Sequence, residues 1–323
     1  MEILRNLILK KRDIKPITIR NYFSVYRSLM KKRFDTLQEF FENWRETLEL
    51  VKKNYKISTQ ANLTTAMIVG LDAIHEHLGN PDLEQGLKSF RNHLLEIKPL
   101  LEMKKWGETK SPQEEENWAT IEELQKEMVK KEKMAKKIIK RGGPISWADI
   151  KILQSWLITT LYVGSEENPP LRNDYGSMLV ISAEDYKTQK KPDINYLVIH
   201  SSRTKYFVLQ EYKTFKTHGV KSIKLSPIVN RAVNAYLKIK DLYMGPKTTD
   251  TLFFSLKGMV PSAPTMSINV QEAFNGMKKH ITINLIRHIF ISDIIKNKTL
   301  LERKKISEKM CHNLEMQLAY NKL

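Results

Sequence analysis

The stretch NYLVIHSSRTKYFVLQEYKTFKTHGVKSIKLS, residues 195–226, decides the fold class of this chain. Three of its segments, 195–202, 205–212 and 220–226, alternate or are rich in β-branched and aromatic residues, and turn residues separate them. This pattern is typical of short strands joined by hairpins. We therefore predict a small antiparallel β-sheet here, in the only strand-rich region of the sequence.

The regions on either side of this stretch show helical periodicity instead. In the first hundred residues, four successive stripes of apolar residues begin near Ile19, Leu37, Leu63 and Leu83. Apolar residues three and four apart form one face of a helix, so the stripes predict a bundle of four short amphipathic helices. Helical patterns return after Pro227. The predicted fold class is thus mainly α with a small antiparallel β-sheet.

A polar, proline-containing stretch, GETKSPQEEENW at 107–118, interrupts the helical patterns. At 323 residues the chain is long enough for two domains of ordinary size. We predict a helical domain over residues 1–106, a linker over 107–117 and a second domain over 118–323 that contains the sheet.

The helix predicted after this linker carries eight basic residues between Lys126 and Arg141. A solvated helix face accounts for most such runs. A strip that contacts phosphate groups is the alternative.

The charge of the whole chain indicates a polyanionic partner. The 54 Lys and Arg residues against 36 Asp and Glu residues leave a net charge of +18, which favours nucleic acid or an anionic membrane surface. The longest apolar stretches, such as 156–164, are too short to span a membrane, so nucleic acid is the stronger interpretation. The single cysteine, Cys311, excludes an internal disulfide and a Cys-rich zinc site, and favours an intracellular compartment.

Two arginines stand in settings that suit anion binding. Arg172 follows a double proline in PPLRNDYGSML, where its planar fork can be aimed at a phosphate; pairing with Asp174 is the structural alternative. Arg287 lies in the otherwise apolar helix NLIRHIFISD beside His288. A buried arginine requires an anion, which is either a carboxylate of the core or a phosphate.

The hairpin EYKTFKTHGVKSIKLS and the last residues, MCHNLEMQLAYNKL at 310–323, supply further reactive groups. The hairpin offers Lys213, Lys216 and Lys221, which are either solvated or able to donate a proton. The tail places His312 eight residues before Tyr320, which is either a packing residue or a nucleophile. We expect this tail to have few restraints and to be ordered only by DNA or a partner subunit.

In order, these groups are what the cleavage of a phosphodiester by a tyrosine requires. Tyr320 would be the nucleophile, and Arg172 and Arg287 would neutralise charge on the non-bridging oxygens. A hairpin lysine would protonate the leaving 5′-oxygen. His312 would donate to the phosphate or carry the proton of the tyrosine.

This series resembles the tyrosine recombinase (phage integrase) family, over essentially the whole chain. LRNDY resembles the first arginine box of that family. YKT and the glycine that follows it resemble the segment that carries the hairpin lysine, and LIRHIFIS resembles the LRH-T-F helix. The 25-residue interval from Arg287 to His312 and the short step to Tyr320 are also similar. The N-terminal helices resemble its core-binding domain.

The resemblance implies a site-specific recombinase or integrase, of a virus or mobile element, that cleaves and rejoins DNA through a 3′-phosphotyrosine intermediate. It implies two domains that clamp double-stranded DNA, self-assembly into a dimer or tetramer on DNA, and a DNA-associated location in the host nucleus or cytoplasm. No cofactor, metal or membrane is implied. The implied catalytic residues are Arg172, Lys213, Asn284, Arg287, His312 and Tyr320.

Three alternatives remain open at the level of sequence. The first is that Lys216, and not Lys213, is the general acid. The other two concern the function, and they arise in part because Asn284 stands where the family has a histidine that can transfer a proton. A type IB topoisomerase would use the same chemistry to relax supercoils. A DNA-binding protein with a lapsed active site would use none of it.

Overall fold

The computed structural model describes residues 2–31, 33–106, 109–245 and 250–322, and within them it is mainly helical. The chain forms two compact units, Met1–Trp106 and Gly107–Leu323. Within the described ranges, no helix has the length and apolar character needed to cross a membrane.

In its described residues, the first unit forms helices joined by short loops, with no strand. Its helices are α1 (Glu2–Lys11), α2 (Pro16–Met30), α3 (Leu37–Glu42), α4 (Trp44–Asn54), α5 (Ile57–Leu78) and α6 (Pro81–Trp106).

We predicted four helices in this unit, whereas its described residues form six. Helix α1 was missed because its amphipathic signal is short, with only Leu4 and Ile8 buried. The second predicted stripe is two helices, because the backbone leaves helical geometry at Asn43, which ends α3 and precedes α4.

Several aromatic rings pack together in the core of the first unit. Tyr26 and Phe41 pack edge to face, with ring centroids 5.5 Å apart. Gly70 of α5 lies against this pair, and a Cβ atom at that position would come within 2.5 Å of the Phe41 ring. The Tyr26 hydroxyl donates to the Ala66 carbonyl at 2.8 Å, so the one polar atom of this phenol is paired.

The second unit combines ten helices of its described residues with four strands. The helices are α7 (Pro112–Asn117), α8 (Ile121–Arg141), α9 (Trp147–Val163), α10 (Ala183–Gln189), α11 (Phe215–His218), α12 (Pro227–Met244), α13 (Ala263–Ala273), α14 (Ile283–Ile294), α15 (Leu300–Lys309) and α16 (Leu314–Tyr320). The strands are β1 (Leu179–Ser182), β2 (Tyr196–Ile199), β3 (Lys205–Leu209) and β4 (Lys221–Lys224).

The sheet is mixed, which corrects the prediction of an antiparallel sheet. The strand order is β1-β2-β3-β4; β2, β3 and β4 pair antiparallel as predicted, but β1 pairs parallel to β2. Helix α10 connects β1 to β2 and returns the chain to the same end of the sheet, so the two strands run in one direction. β1 was not predicted because four residues are too few for a periodic signal.

A short helix occupies most of the segment expected to be a linker, 107–117. Gly107 and Glu108 lie outside the described residues, but α7 begins at Pro112 behind a capping box formed by Ser111 and Glu114. The Asn117 side chain then accepts from the His280 backbone N–H at 2.6 Å. This end of the segment is therefore built into the second unit.

Helix α8 carries the basic strip. Lys130 and Lys131 pair with the buried carboxylate of Glu127, at 3.1 and 3.6 Å. Other members of the strip, such as Lys133 and Lys137, are exposed. The strip is thus partly neutralised within its own helix.

Candidate active site

The centre of the candidate site is Arg287, in the second turn of α14. Its side chain is fully buried, at 0% exposure. Nη1 donates to the Pro170 carbonyl, and Nη2 lies 3.5 Å from the Met310 carbonyl. The described residues offer this guanidinium no ion pair, and its Nε has no hydrogen-bond partner among them. In the described residues no carboxylate lies within ion-pair distance of Arg287, and Asp174 acts on its pKa from further away.

Arg172 lies in the loop between α9 and β1, held by its own backbone. Its N–H donates to Asp174 Oδ2 at 3.1 Å, and its carbonyl accepts from the Tyr162 hydroxyl at 2.8 Å. Asp174 thus fixes the turn through the main chain of Arg172. The guanidinium remains half-buried and acts electrostatically on both Tyr320 and His312.

His312 is positioned by a tight turn after α15. Cys311 adopts a left-handed backbone with φ 57°, and the His312 N–H donates to the Ser307 carbonyl at 3.1 Å, which closes the helix end. The Thr214 hydroxyl, from the loop between β3 and β4, donates to the Cys311 carbonyl at 2.6 Å. These contacts bury the His312 side chain to 2% exposure.

The protonation of His312 follows from its partners. Burial, followed by the charges of Arg287 and Arg172, lowers its pKa to about 3, so the imidazole is neutral at neutral pH. Arg287 Nη2 lies 3.2 Å from its Nδ1. Since the guanidinium can only donate, Nδ1 accepts and the single proton lies on Nε2. That buried Nε2 has no partner within the described residues.

Tyr320 ends helix α16, which packs against α14. The Tyr320 ring stacks on His312 with centroids 5.4 Å apart and 23° between planes, and the Arg287 guanidinium carbon lies 5.0 Å from its centroid. Two residues on, the Lys322 N–H donates to Ser292 Oγ at 2.8 Å. Only 8% of Tyr320 is exposed. The expectation of a loosely restrained tail was wrong, because apolar contacts pack α16 against α14.

The charges around Tyr320 favour its ionised form. Burial raises the pKa of the phenol, but the positive charges of Arg287 and Arg172 and their hydrogen bonds to the phenol outweigh burial, and the pKa falls below its ordinary value. Positive neighbours are what a tyrosine requires to become a nucleophile near neutral pH.

The remaining predicted residues lie at the periphery of this group. Lys213 and Lys216 are exposed in the connection between β3 and β4 that carries Thr214, and Lys216 lies in α11. The structure therefore brings that loop to the buried group and leaves both lysine side chains exposed. Asn284 is exposed on the first turn of α14, where it lines a polar cavity with Glu114 and His288.

Two residues of this region, His288 and His218, were not predicted as site residues. The His288 ring lies 4.8 Å from the Tyr320 ring, centroid to centroid. His218 of α11 is close enough to lower the pKa of His312. Lys221 of β4, one of the hairpin lysines named from the sequence, acts on the pKa of Cys311. The position of His288 next to Arg287 was a usable signal. Nothing in the sequence pairs His218 with His312, which lie on distant elements.

Comparisons with known proteins add little to this geometry. No protein-family model matches the chain, and no curated protein matches it. The crystal structure of XerA recombinase aligns with 100% of this chain and 93% of its own, at 13% identity and a TM-score of 0.39. A similarity of this size assigns neither a family nor a function.

Proposed function

We propose that this chain cleaves and rejoins double-stranded DNA with Tyr320 as the nucleophile, in the manner of a tyrosine recombinase. One observation carries the proposal. The phenol of Tyr320 lies with His312 and the guanidinium groups of Arg172 and Arg287, and these positive charges lower its pKa despite burial. A merely structural tyrosine has no need of such neighbours.

In the proposed reaction the Tyr320 oxygen attacks the phosphorus of a phosphodiester and the bond from phosphorus to the 5′-oxygen breaks. The products are a 3′-phosphotyrosine and a free 5′-hydroxyl; the proton of the phenol leaves to water, and the 5′-oxygen receives one from the hairpin lysine. One phosphoester bond replaces another, so attack by a 5′-hydroxyl reverses the step and reseals a strand. No cofactor is required for this exchange.

The arginines and His312 would stabilise charge on the phosphate. Arg287 Nε and His312 Nε2 are buried donors with no partner in the described structure, and both belong to groups that contact the Tyr320 ring. Donors already in place when charge develops stabilise a transition state more than a ground state. Of the two roles considered for His312, its Nε2–H favours donation to the phosphate.

The finer parts of the proposal depend on the family resemblance of the sequence. Residues 1–106 would form a core-binding domain and 118–323 the catalytic domain, which together would clamp the duplex. The protein would assemble into a dimer or tetramer on DNA in an intracellular, DNA-associated setting, as an integrase of a virus or mobile element. Lys213 is the preferred general acid.

The deciding experiment uses a duplex with a nick close to the cleavage point, so that the short 5′-hydroxyl strand diffuses away and traps the intermediate. Because the target sequence is unknown, a random-sequence library of such duplexes is incubated with the protein. We expect a covalent adduct that survives denaturation and maps to the C-terminal peptide with Tyr320. No adduct, or one on another tyrosine, contradicts the proposal.

The two alternatives are separated by further readouts. A lapsed DNA-binding protein gives no adduct, and the lowered pKa of Tyr320 weighs against it. Strand exchange between two trapped duplexes indicates recombination, whereas relaxation of a supercoiled plasmid by monomeric protein without junctions indicates a topoisomerase.

The DNA partner itself is tested by salt. With a net charge of +18, we expect affinity for duplex DNA to fall steeply between ~50 and ~200 mM salt, because each phosphate contact releases counterions. Reversing the charge of Lys133 and Lys137, which are exposed on α8, should weaken binding to all sequences alike. An affinity that salt leaves unchanged contradicts nucleic-acid binding.

A further inference from the structure

Helix α7 reaches the Tyr320 ring through one histidine. Glu114 Oε1 of α7 lies 3.7 Å from Nδ1 of His288, which has no hydrogen-bond partner in the described residues. The His288 ring meets the Tyr320 ring edge to face, at 4.8 Å and 61°, and the imidazole also interacts with the Tyr320 main chain. These contacts form a continuous path from a carboxylate to the proposed nucleophile.

The carboxylate at the start of this path is held in place. The Ser111 N–H and hydroxyl donate to Glu114 Oε2 at 2.9 and 2.7 Å, so Oε1 is left for His288. Helix α7 is itself tied to the segment before α14, since the Lys279 ammonium donates to the Trp118 carbonyl at 2.6 Å. These contacts therefore fix the distance between Glu114 and α14.

We propose that Glu114 is a positioning residue for Tyr320 and acts through His288. The inference rests on the proposed function, since it takes Tyr320 as the nucleophile. His312 holds one face of the phenol and His288 meets it from another direction, so the orientation of His288 sets where the Tyr320 oxygen lies relative to Arg172 and Arg287.

The physical reason is electrostatic. Burial, opposed by the charge of Glu114 and reinforced by the positive charges of Lys322 and Arg287, lowers the pKa of His288 to about 4. The negative charge of Glu114, 3.7 Å from Nδ1 and beyond hydrogen-bond distance, favours the ring orientation in which Nδ1 faces α7, and carboxylates orient functional histidines elsewhere. Displacing a reacting group by ~1 Å can cost ~100-fold in rate, so an orienting contact has a measurable effect.

The chain offers matched variants that separate positioning from helix capping. Glu114→Gln keeps the capping box, which accepts Glu or Gln, but removes the charge beside His288. Ser111→Ala weakens the cap and keeps the carboxylate. Glu115→Gln changes the same residue type at an exposed position of the same helix.

Two readouts are taken on the full chain. The first is the ¹⁹F resonance of 3-fluorotyrosine placed at position 320, which reports on the two neighbouring imidazoles and requires no DNA. The second is the single-turnover cleavage rate of the trapped-nick duplex, with duplex affinity measured alongside.

We expect Glu114→Gln to shift the ¹⁹F resonance and slow cleavage about 10-fold with unchanged duplex affinity. Ser111→Ala should have a smaller effect of the same kind, because it removes one of the two hydrogen bonds that hold Glu114, and Glu115→Gln should have none. In a His288→Phe background, Glu114→Gln should have no further effect on either readout, since coupled residues are non-additive. An unmoved resonance in Glu114→Gln, equal shifts in the controls, or additive effects with His288→Phe each overturn the inference. If the wild-type chain forms no adduct, the proposed function fails, and the ¹⁹F comparison alone decides whether Glu114 orients this ring.

Discussion

Tyr26 and Tyr320 are both buried tyrosines, one in each compact unit, and their chemistry is opposite. Tyr26 is fully buried, and burial, its largest influence, raises its pKa well above the ordinary value. Tyr320 is 8% exposed, and its pKa is nevertheless lowered, because Arg287 and Arg172 outweigh burial. Burial alone therefore does not determine how reactive a tyrosine is.

The surroundings explain the difference. Tyr26 packs among Phe23, Phe40 and Phe41, and its hydroxyl donates to a carbonyl. Such a site holds a neutral phenol well and an ionised one badly. Of the tyrosines in the described ranges whose pKa departs from the ordinary value, Tyr320 is the one that is lowered. The others are raised, with burial as the main cause, at Tyr26, Tyr162, Tyr175, Tyr186, Tyr212 and Tyr236.

The largest expected effect is a comparison of two identical substitutions. Tyr320→Phe removes one oxygen and should abolish the covalent DNA adduct, seen on a denaturing gel, while leaving folding and duplex affinity unchanged. Tyr26→Phe should leave the adduct intact and cost about 1 kcal/mol of stability, because it loses one buried hydrogen bond. Normal cleavage by Tyr320→Phe would end the comparison.

The next effect concerns the two arginines. Arg172→Ala and Arg287→Lys should each lower single-turnover cleavage by ~10²–10³-fold and leave duplex affinity nearly unchanged, because other basic residues hold the ground state. Lysine at 287 keeps a buried cation but cannot make the same forked contacts.

Thermal unfolding of both variants serves as the control for the arginine comparison. If Arg172→Ala or Arg287→Lys unfolds the protein at assay temperature, that arginine has a structural role and its assignment is wrong. Cleavage within about 10-fold of wild type in a folded variant would also contradict it.

A smaller effect, about 10²-fold, is expected at the hairpin. Lys213→Ala should slow cleavage of an ordinary duplex, and a substrate with sulfur at the 5′-bridging position should restore the rate, because that leaving group needs no proton. Lys216→Ala, at the other exposed lysine of the connection between β3 and β4, is the matched control. Rescue of Lys216→Ala alone would make Lys216 the general acid.

The smallest effect is spectroscopic. Because the folded-state pKa of Tyr320 is lowered, its ionisation contributes stability above the unfolded pKa of ~10 that is lost as pH falls through the folded value. The neutral phenol of Tyr26 contributes stability below the unfolded pKa of ~10, and this stability is lost as the pH rises towards its raised folded-state pKa. Tyrosinate absorbance titrated from pH ~8 to ~10 should lose its earliest phase in Tyr320→Phe and keep it in Tyr26→Phe. Identical titrations would show that the arginines do not act on this phenol.

Much of the local structure was predictable, for identifiable reasons. The alternation in 195–226 gave three antiparallel strands, since period-two patterns report directly on local backbone geometry. β1 was not predicted, because its four residues are too few for a periodic signal and its pairing partner, β2, lies beyond α10. The segment containing α7 was interpreted as a linker because its polar composition conceals a helix whose partners lie more than 160 residues away.

The sequence by itself determined which reactive groups the chain contains, their order, its positive charge and its mainly helical character, because these follow from composition and local periodicity. Only the tertiary structure decided that Arg287, His312 and Tyr320 meet in one buried group, that Cys311 turns His312 inward, and that α16 docks on α14. These outcomes depend on contacts between distant elements and on the burial they produce. The same dependence holds for the pKa of a phenol. Tyr26 and Tyr320 are the same amino acid, and their pKa values differ because the fold places different groups around them.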